Sequence, residues 1–412
     1  GYLEQSTRYI PYDDRPGGRW RYVLPPEIVG GPFEERVSKT LDAAFETYSG
    51  LLEPMQAFFR ERFPQQPKDP DGVYRSTIRA KACDTLRGLL PAATRSNVGI
   101  YASGQSYEQM LIRMRAHPLL EVRAYADLML VELRNVIPAF LSRVDVPERG
   151  DAWSAYLSAT RERTQEIAEK YLGGVEPGPR GEVTLTDYDP EGETKVVAAA
   201  LYAASELPDD RLLSLAHSMS AEERANVLEA YVGERGNRRH RPGRAFERTS
   251  YRFDILCDYG AFRDLQRHRL LTLEWQPLST RHGSEMPMEI REAGFESEWA
   301  GVTERAADLF SELRDGGVSE AAQYVVPMAY RIRFVMQMNA REAMHLIELR
   351  SSPQGHPAYR RIAHEMHRLI GEQAGHRAIA DAMTFVDRSD VDLARLEAER
   401  RTEAKRRSLG GS

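Results

Sequence analysis

The sequence predicts an α+β protein, helix-rich overall, built from two tandem copies of one domain, each a mixed or antiparallel sheet packed with long helices. Three observations carry that expectation. Ser-Thr-Arg stands at 6–8 and again at 279–281, and further features follow each copy in the same order, which is what duplication leaves behind. Short runs of alternating apolar residues lie beside long segments with helical spacing. A Gly- and Pro-rich stretch, YLGGVEPGPRGE at 171–182, reads as a linker. The expected divisions are a first repeat at 1–170, the linker at 171–182, a second repeat at 183–388 and a charged helical tail at 389–412.

The first half opens on GYLEQSTRY, which starts abruptly in a strand pattern, so natural residues upstream of Gly1 are expected. YVLPPEI (22–28) resembles SEMPMEI (284–290), each a short gap from Ser-Thr-Arg. An amphipathic helix follows in both halves, VSKTLDAAFETYSGLL against VTERAADLFSELR. Then LRGLLPAATRSNVGIYASGQSYEQMLIRMRAHP lies over AQYVVPMAYRIRFVMQMNAREAMHLIELRSSPQGHP. Pro91 falls on Pro327, Ser103 on Asn339, and His117-Pro118 on His356-Pro357.

After the linker, VTLTDYD alternates as a strand and GETKVVAAALYAASEL has helical spacing. SAEERANVLEAYVGE begins with a Ser cap and a Glu at the capping-box position. SYRFDILCDYG puts Tyr251, Phe253, Ile255 and Cys257 on one face of a half-buried strand. Helical patterns fill roughly 295–315, 319–350 and 357–384. The tail, LARLEAERRTEAKRR, is a charged helix with little apolar face.

Composition narrows the class. With 42% hydrophobic and 29% charged residues the chain is a soluble globular type. No apolar run nears the roughly 18 residues of a membrane span, and no signal-peptide pattern opens the chain. A net charge of −6 argues against a general nucleic-acid binder. Neither a membrane nor a nucleic acid is an expected partner. Two cysteines, Cys83 and Cys257, make no disulfide framework and suit a reducing, cytoplasmic setting. Both lie in structural contexts, so neither is expected to be a reactive thiolate.

Two strings carry chemistry. Arg267, His268 and Arg269 follow an alternating strand and form a dense cationic cluster. On a strand the two guanidiniums share one face and His268 takes the other, and Arg offers a fork matched to phosphate or an enolate-like ring edge. The second string, NAREAMHLIELR at 339–350, brings Asn339, Arg341, His345 and Arg350 along one helix. HEMH at 364–367 lacks the i, i+4 histidine pair of a helical zinc motif, so no metal is expected. RGNRRHRPGRAFER at 235–248 is a basic segment that reads as a mobile loop over an anionic cofactor or substrate.

Together these strings resemble the flavin-dependent thymidylate synthase family. That family has Arg-His-Arg, seven residues, then Ser-x-Arg-Tyr, and an Arg-x-Val-Leu-Pro segment leading to a helix with Asn-x-Arg and a terminal Leu-Arg. The resemblance covers 182–385 well and 1–135 more weakly. It departs from the pattern in places. Nine residues separate Arg269 from Ser279, His282 replaces the Tyr, Gln323 replaces the Arg before Val-x-Pro, and RPGRAFER replaces an upstream His-x-Ser-x-x-Glu-His. The first copy supplies what the second lacks: Glu4, Gln5, Ser6, Arg8 and Tyr9 match the Glu-Gln-Ser-x-Arg-Tyr form, and Arg87 stands where the second copy has Gln323. Conversely Ser103, Gln105 and Gln109 stand where the second copy has Asn339, Arg341 and His345.

The resemblance implies reductive methylation of dUMP to dTMP, with FAD as cofactor and NADPH and methylenetetrahydrofolate as co-substrates. It implies a composite site in which Glu4, Gln5, Ser6, Arg8, Arg87 and Arg350 bind the nucleotide. Arg267, His268, Arg269, Asn339, Arg341 and His345 would bind the cofactor, and Arg350, Arg267 and His268 would be catalytic. It further implies a homodimer with the form of the family's tetramer of single domains. The alternatives are a flavoenzyme of this scaffold acting on another nucleotide, and a non-catalytic nucleotide-binding relative.

Overall fold

The computed structural model describes residues 1–67, 69–176 and 178–389. In chain order the elements are β1 (Tyr2–Glu4), α1 (Glu34–Arg62), α2 (Asp71–Leu86), β2 (Val98–Ile100), α3 (Gly104–Arg115), α4 (Leu120–Arg134), α5 (Pro138–Leu141) and α6 (Ala152–Leu172). There follow β3 (Val183–Tyr188), α7 (Gly192–Tyr202), α8 (Asp209–Ser218), α9 (Ala221–Val232), β4 (Ser250–Asp258), α10 (Tyr259–Leu265) and β5 (Leu271–Trp275). The last are α11 (Met288–Glu292), α12 (Glu296–Asp315), β6 (Arg331–Asn339), α13 (Ala340–Arg350), α14 (Pro357–Glu372) and α15 (Arg377–Asp381). The fold is α+β and helix-rich, as the sequence predicts. The charged tail expected at 389–412 lies, from 390 on, outside the described residues. Among those described, no helix is long and apolar enough to cross a membrane.

The described residues form two compact units, each discontinuous: 1–55 with 85–179 and 287–327, and 56–84 with 180–286 and 328–389. In the first unit α3 and α4 bury Leu111, Ile112, Ala126 and Leu130 with Leu141 and Val144. Its sheet is small, β1 against β2 antiparallel, with Tyr2 opposite Ile100.

The second unit holds a four-stranded antiparallel sheet in the order β3-β4-β6-β5. Its centre is the β4–β6 pair, where buried residues face one another: Tyr251 opposite Met338, Phe253 opposite Met336, Ile255 opposite Phe334 and Cys257 opposite Ile332. Such pairs are the stabilising unit of a sheet. Helix α14 buries Ala358, Tyr359, Ile362, Ala363, Met366, Leu369 and Ile370, a stripe at helical spacing, and packs on the sheet. Ser220 caps α9 with Glu223 in a complete capping box, as its sequence announces.

Two expectations need correcting. The segment 319–350 is not one helix: a short turn at Ala321–Val325 is followed by β6 and only then by α13. Arg267–Arg269 does not continue a strand, because α10 separates it from β4 and the triplet lies in the loop before β5. The alternation survives in that loop, since Arg267 and Arg269 are exposed and His268 is buried.

The two copies share local geometry position by position. The Ser6 hydroxyl accepts from Arg8 N–H at 3.2 Å, and Ser279 from Arg281 N–H at 3.4 Å. Ser103 caps α3 by accepting from Ser106 N–H, and Asn339 caps α13 by accepting from Glu342 N–H. His117 Nδ1 accepts from Leu119 N–H and His356 Nδ1 from Ala358 N–H, each at 3.2 Å. Arg87 C=O accepts from Leu90 N–H and Gln323 C=O from Val326 N–H. Within the first unit the two Pro-containing segments meet directly, Pro91 opposite Pro327 in an antiparallel bridge, with Ala92 N–H donating to Val326 C=O. Pairing of equivalent residues antiparallel to one another is what a local two-fold axis produces.

Candidate active site

In the second unit β6 ends at Asn339, whose side-chain oxygen caps α13 by accepting from Glu342 N–H at 2.9 Å. The cap fixes where α13 starts and so which way its residues face. Arg341, Glu342, His345 and Arg350 then project from successive turns. The loop after α10 delivers His268 to this helix. His268 Nδ1 is 3.0 Å from Glu342 Oε1, with 3% and 4% of the two side chains exposed. Arg350 Nε donates to His268 Nε2 at 3.1 Å, and its guanidinium lies 5.6 Å from the Tyr359 ring centroid. The rings of His268 and His345 meet edge to face at 5.4 Å.

The basic segment 235–248 closes over this helix, and it is tied down. Arg235 forms a bidentate pair with Glu348 of α13 at 2.6 Å on both arms, both side chains buried, and also donates to Ala382 C=O and His240 C=O. Arg341 Nε donates to Pro242 C=O at 2.9 Å, and its Nη1 lies 3.6 Å from Glu247. Arg241 Nη2 sits 3.1 and 3.3 Å from the two ring nitrogens of His345. At Gly243 a Cβ would lie 2.1 Å from the Tyr231 hydroxyl oxygen, so a side chain there would have to displace that ring.

Electrostatics follow from this crowding. Burial lowers the His345 pKa to about 4, with Arg241 and His268 acting in the same direction against Glu342. Burial also lowers His268, partly offset by its bond to Glu342. Arg267 pairs with Asp264 at 3.5 Å and stays exposed, as does Arg269. Both cysteines are buried, and burial drives the Cys257 thiol well up, which disfavours a thiolate.

Of the expected residues, Arg267, His268, Arg269, Asn339, Arg341, His345 and Arg350 all belong to the second unit. There His268, His345 and Arg350 are joined by the contacts above. Glu4, Gln5, Ser6, Arg8 and Arg87 belong to the first unit. In it Glu4 ends β1, opposite Val98. Gln5 exchanges hydrogen bonds with Asn97 through backbone and side chain, and its carbonyl accepts from Ser96. The Arg8 guanidinium lies 5.4 Å from the Tyr9 ring centroid, and Arg87 is buried in the turn 87–89.

The sequence reading missed Glu342, Glu348, Arg235 and Arg241. Glu342 stands one turn before His345, a spacing that was visible. Its partner His268 is 74 residues away, and no local pattern links them.

The chain resembles known proteins along nearly its whole length. The model of the family described as "Thymidylate synthase complementing protein" matches residues 1–139 and 184–374. A UPF0159 protein of Chlamydia pneumoniae is 38% identical over 403 residues, covering 97% of this chain and 75% of that protein. A UPF0159 protein of Thermoplasma acidophilum is 30% identical over 430 residues, covering 98% and 83%. A flavin-dependent thymidylate synthase of Mycobacterium bovis is 27% identical over 152 residues, 36% of this chain and 55% of that protein.

Proposed function

Because the chain belongs to the thymidylate synthase complementing protein family, we propose that it is a flavin-dependent thymidylate synthase-like enzyme that methylates dUMP, with methylenetetrahydrofolate and NADPH as co-substrates. The observation that carries this reading is the cationic set on and around α13: Arg350 and Arg241 against two buried or half-buried imidazoles, with exposed Arg267 and Arg269 on the adjoining loop.

This donor set fits an anionic flavin. Arg267 and Arg269 would hold it with Asn339, Arg341 and His345, and Arg241 joins them by position. Bound FAD would supply the hydride. The chain's own groups do the rest. Arg350 stabilises the negative charge that develops on the pyrimidine carbonyl oxygen when C5 becomes nucleophilic. Ser6, Arg8 and Arg87, with Glu4 and Gln5, bind the nucleotide, whose phosphate needs cations and oriented donors. No step requires an enzyme thiolate, which agrees with two buried cysteines. Each repeat supplies part of this residue set, and two chains form a dimer resembling the family's tetramer.

The test is formation of thymidylate from dUMP, methylenetetrahydrofolate and NADPH by purified protein, preceded by its absorbance spectrum. A yellow preparation with product supports the proposal; a colourless one that takes up no FAD overturns it. A second reading, a flavoenzyme acting on another nucleotide, is favoured by the replacement of the upstream histidine motif with Arg-Pro-Gly-Arg at 241–244. Bound flavin without thymidylate would select it.

A further inference from the structure

We propose that Glu342 is a positioning residue which, through His268, fixes the orientation of Arg350; its functional consequence rests on the reading that Arg350 faces the nucleotide. A guanidinium has only N–H donors and stays protonated. The Arg350 Nε–H bond to His268 Nε2 therefore requires a lone pair on Nε2. The ring proton then lies on Nδ1, where it is donated to Glu342 Oε1 at 3.0 Å. Carboxylate, imidazole and guanidinium form one directed chain, in which the carboxylate makes Nε2 a better acceptor and stops the ring from rotating. An imidazolium would present two N–H groups, leaving Arg350 facing a second cation at 3.1 Å. Burial of His268 also favours the neutral ring. The first copy has Ser106 and Met114 at the equivalent positions, so the chain of contacts is confined to the second copy.

The same atoms invite a rival reading. Ligand atoms of His268, Glu342 and His345 lie within 4.8 Å of one another, a spacing that could hold a metal ion. The surroundings oppose it. The His268 lone pair is already engaged by Arg350, and Arg241 lies against both nitrogens of His345. A divalent cation would sit between two guanidiniums.

The test reads ¹⁵N resonances of the full-length protein without ligand, then its affinity for dUMP. His268 should be neutral with its proton on Nδ1, and the Arg350 Nε–H should be protected from exchange. Glu342→Leu should remove that protection and weaken dUMP binding about tenfold, whereas Glu342→Gln, which keeps an acceptor oxygen, should restore both. If the leucine variant does not fold, Arg350→Met should shift the His268 Nε2 signal while Nδ1 stays protonated. An imidazolium or an Nε2–H tautomer in the native protein overturns the proposal. So does an unchanged Arg350 signal in folded Glu342→Leu, or a stoichiometric zinc ion that this variant loses. Failure of the native protein to bind dUMP, with the resonances as expected, sinks the proposed reaction instead.

Discussion

At the residue scale, His345 and His268 make the protein acid-sensitive. The folded-state pKa of His345 is about 4, against an ordinary value of 6.5. Between those values the unfolded chain binds a proton that the folded one refuses, so stability rises with pH there. The contribution is complete above 6.5 and is lost as pH falls toward 4. Arg241, Arg238, Glu342 and His268 are the charged or titrating groups that face the ring. Urea midpoints should therefore fall between pH 7 and pH 5, and His345→Gln should flatten that dependence. A flat profile in the native protein would contradict this assignment.

At the element scale, α13 is held at its start, its middle and its end. Asn339→Ala should cost about 1 kcal/mol through the lost cap, read as a lower denaturation midpoint. Glu348→Ala leaves Arg235 buried without its carboxylate, and about 3–5 kcal/mol should be lost, together with the docking of 235–248, measurable as faster amide exchange there. Gly243→Ala should loosen the same segment by driving a Cβ into Tyr231, and should speed amide exchange there while leaving the Asn339 cap of α13 in place. The strands β3 and β4 and the helices α9, α12 and α14 were legible because each shows one clean period. β6 was not. Its alternation is real, with Ile332, Phe334, Met336 and Met338 buried, but Arg, Met and Gln are good helix formers and the run continues directly into a true helix. The Arg-His-Arg loop was misread as strand because alternation of burial does not require a ladder.

At the scale of the whole molecule, duplication was legible because it is written in order along the chain, and the recurring hydrogen bonds of Ser6 and Ser279, Ser103 and Asn339, and His117 and His356 repeat it in geometry. The division into packed units was not legible, since 56–84 and 287–327 each join elements distant in sequence. On the composite reading the two copies are unequal. Arg87→Gln should weaken dUMP binding about tenfold to a hundredfold, while Gln323→Ala at the equivalent position should leave it unchanged. Equal losses in the two titrations would contradict a single working site.

The bridge between Pro91 and Pro327 has a consequence for how such a protein can change. Where identical subunits meet at a dyad, one codon writes both sides of the seam, and every substitution strikes twice. Here the two sides have separate codons, so Arg87 can persist while its counterpart is Gln323, and each half is free to lose a residue that the other keeps.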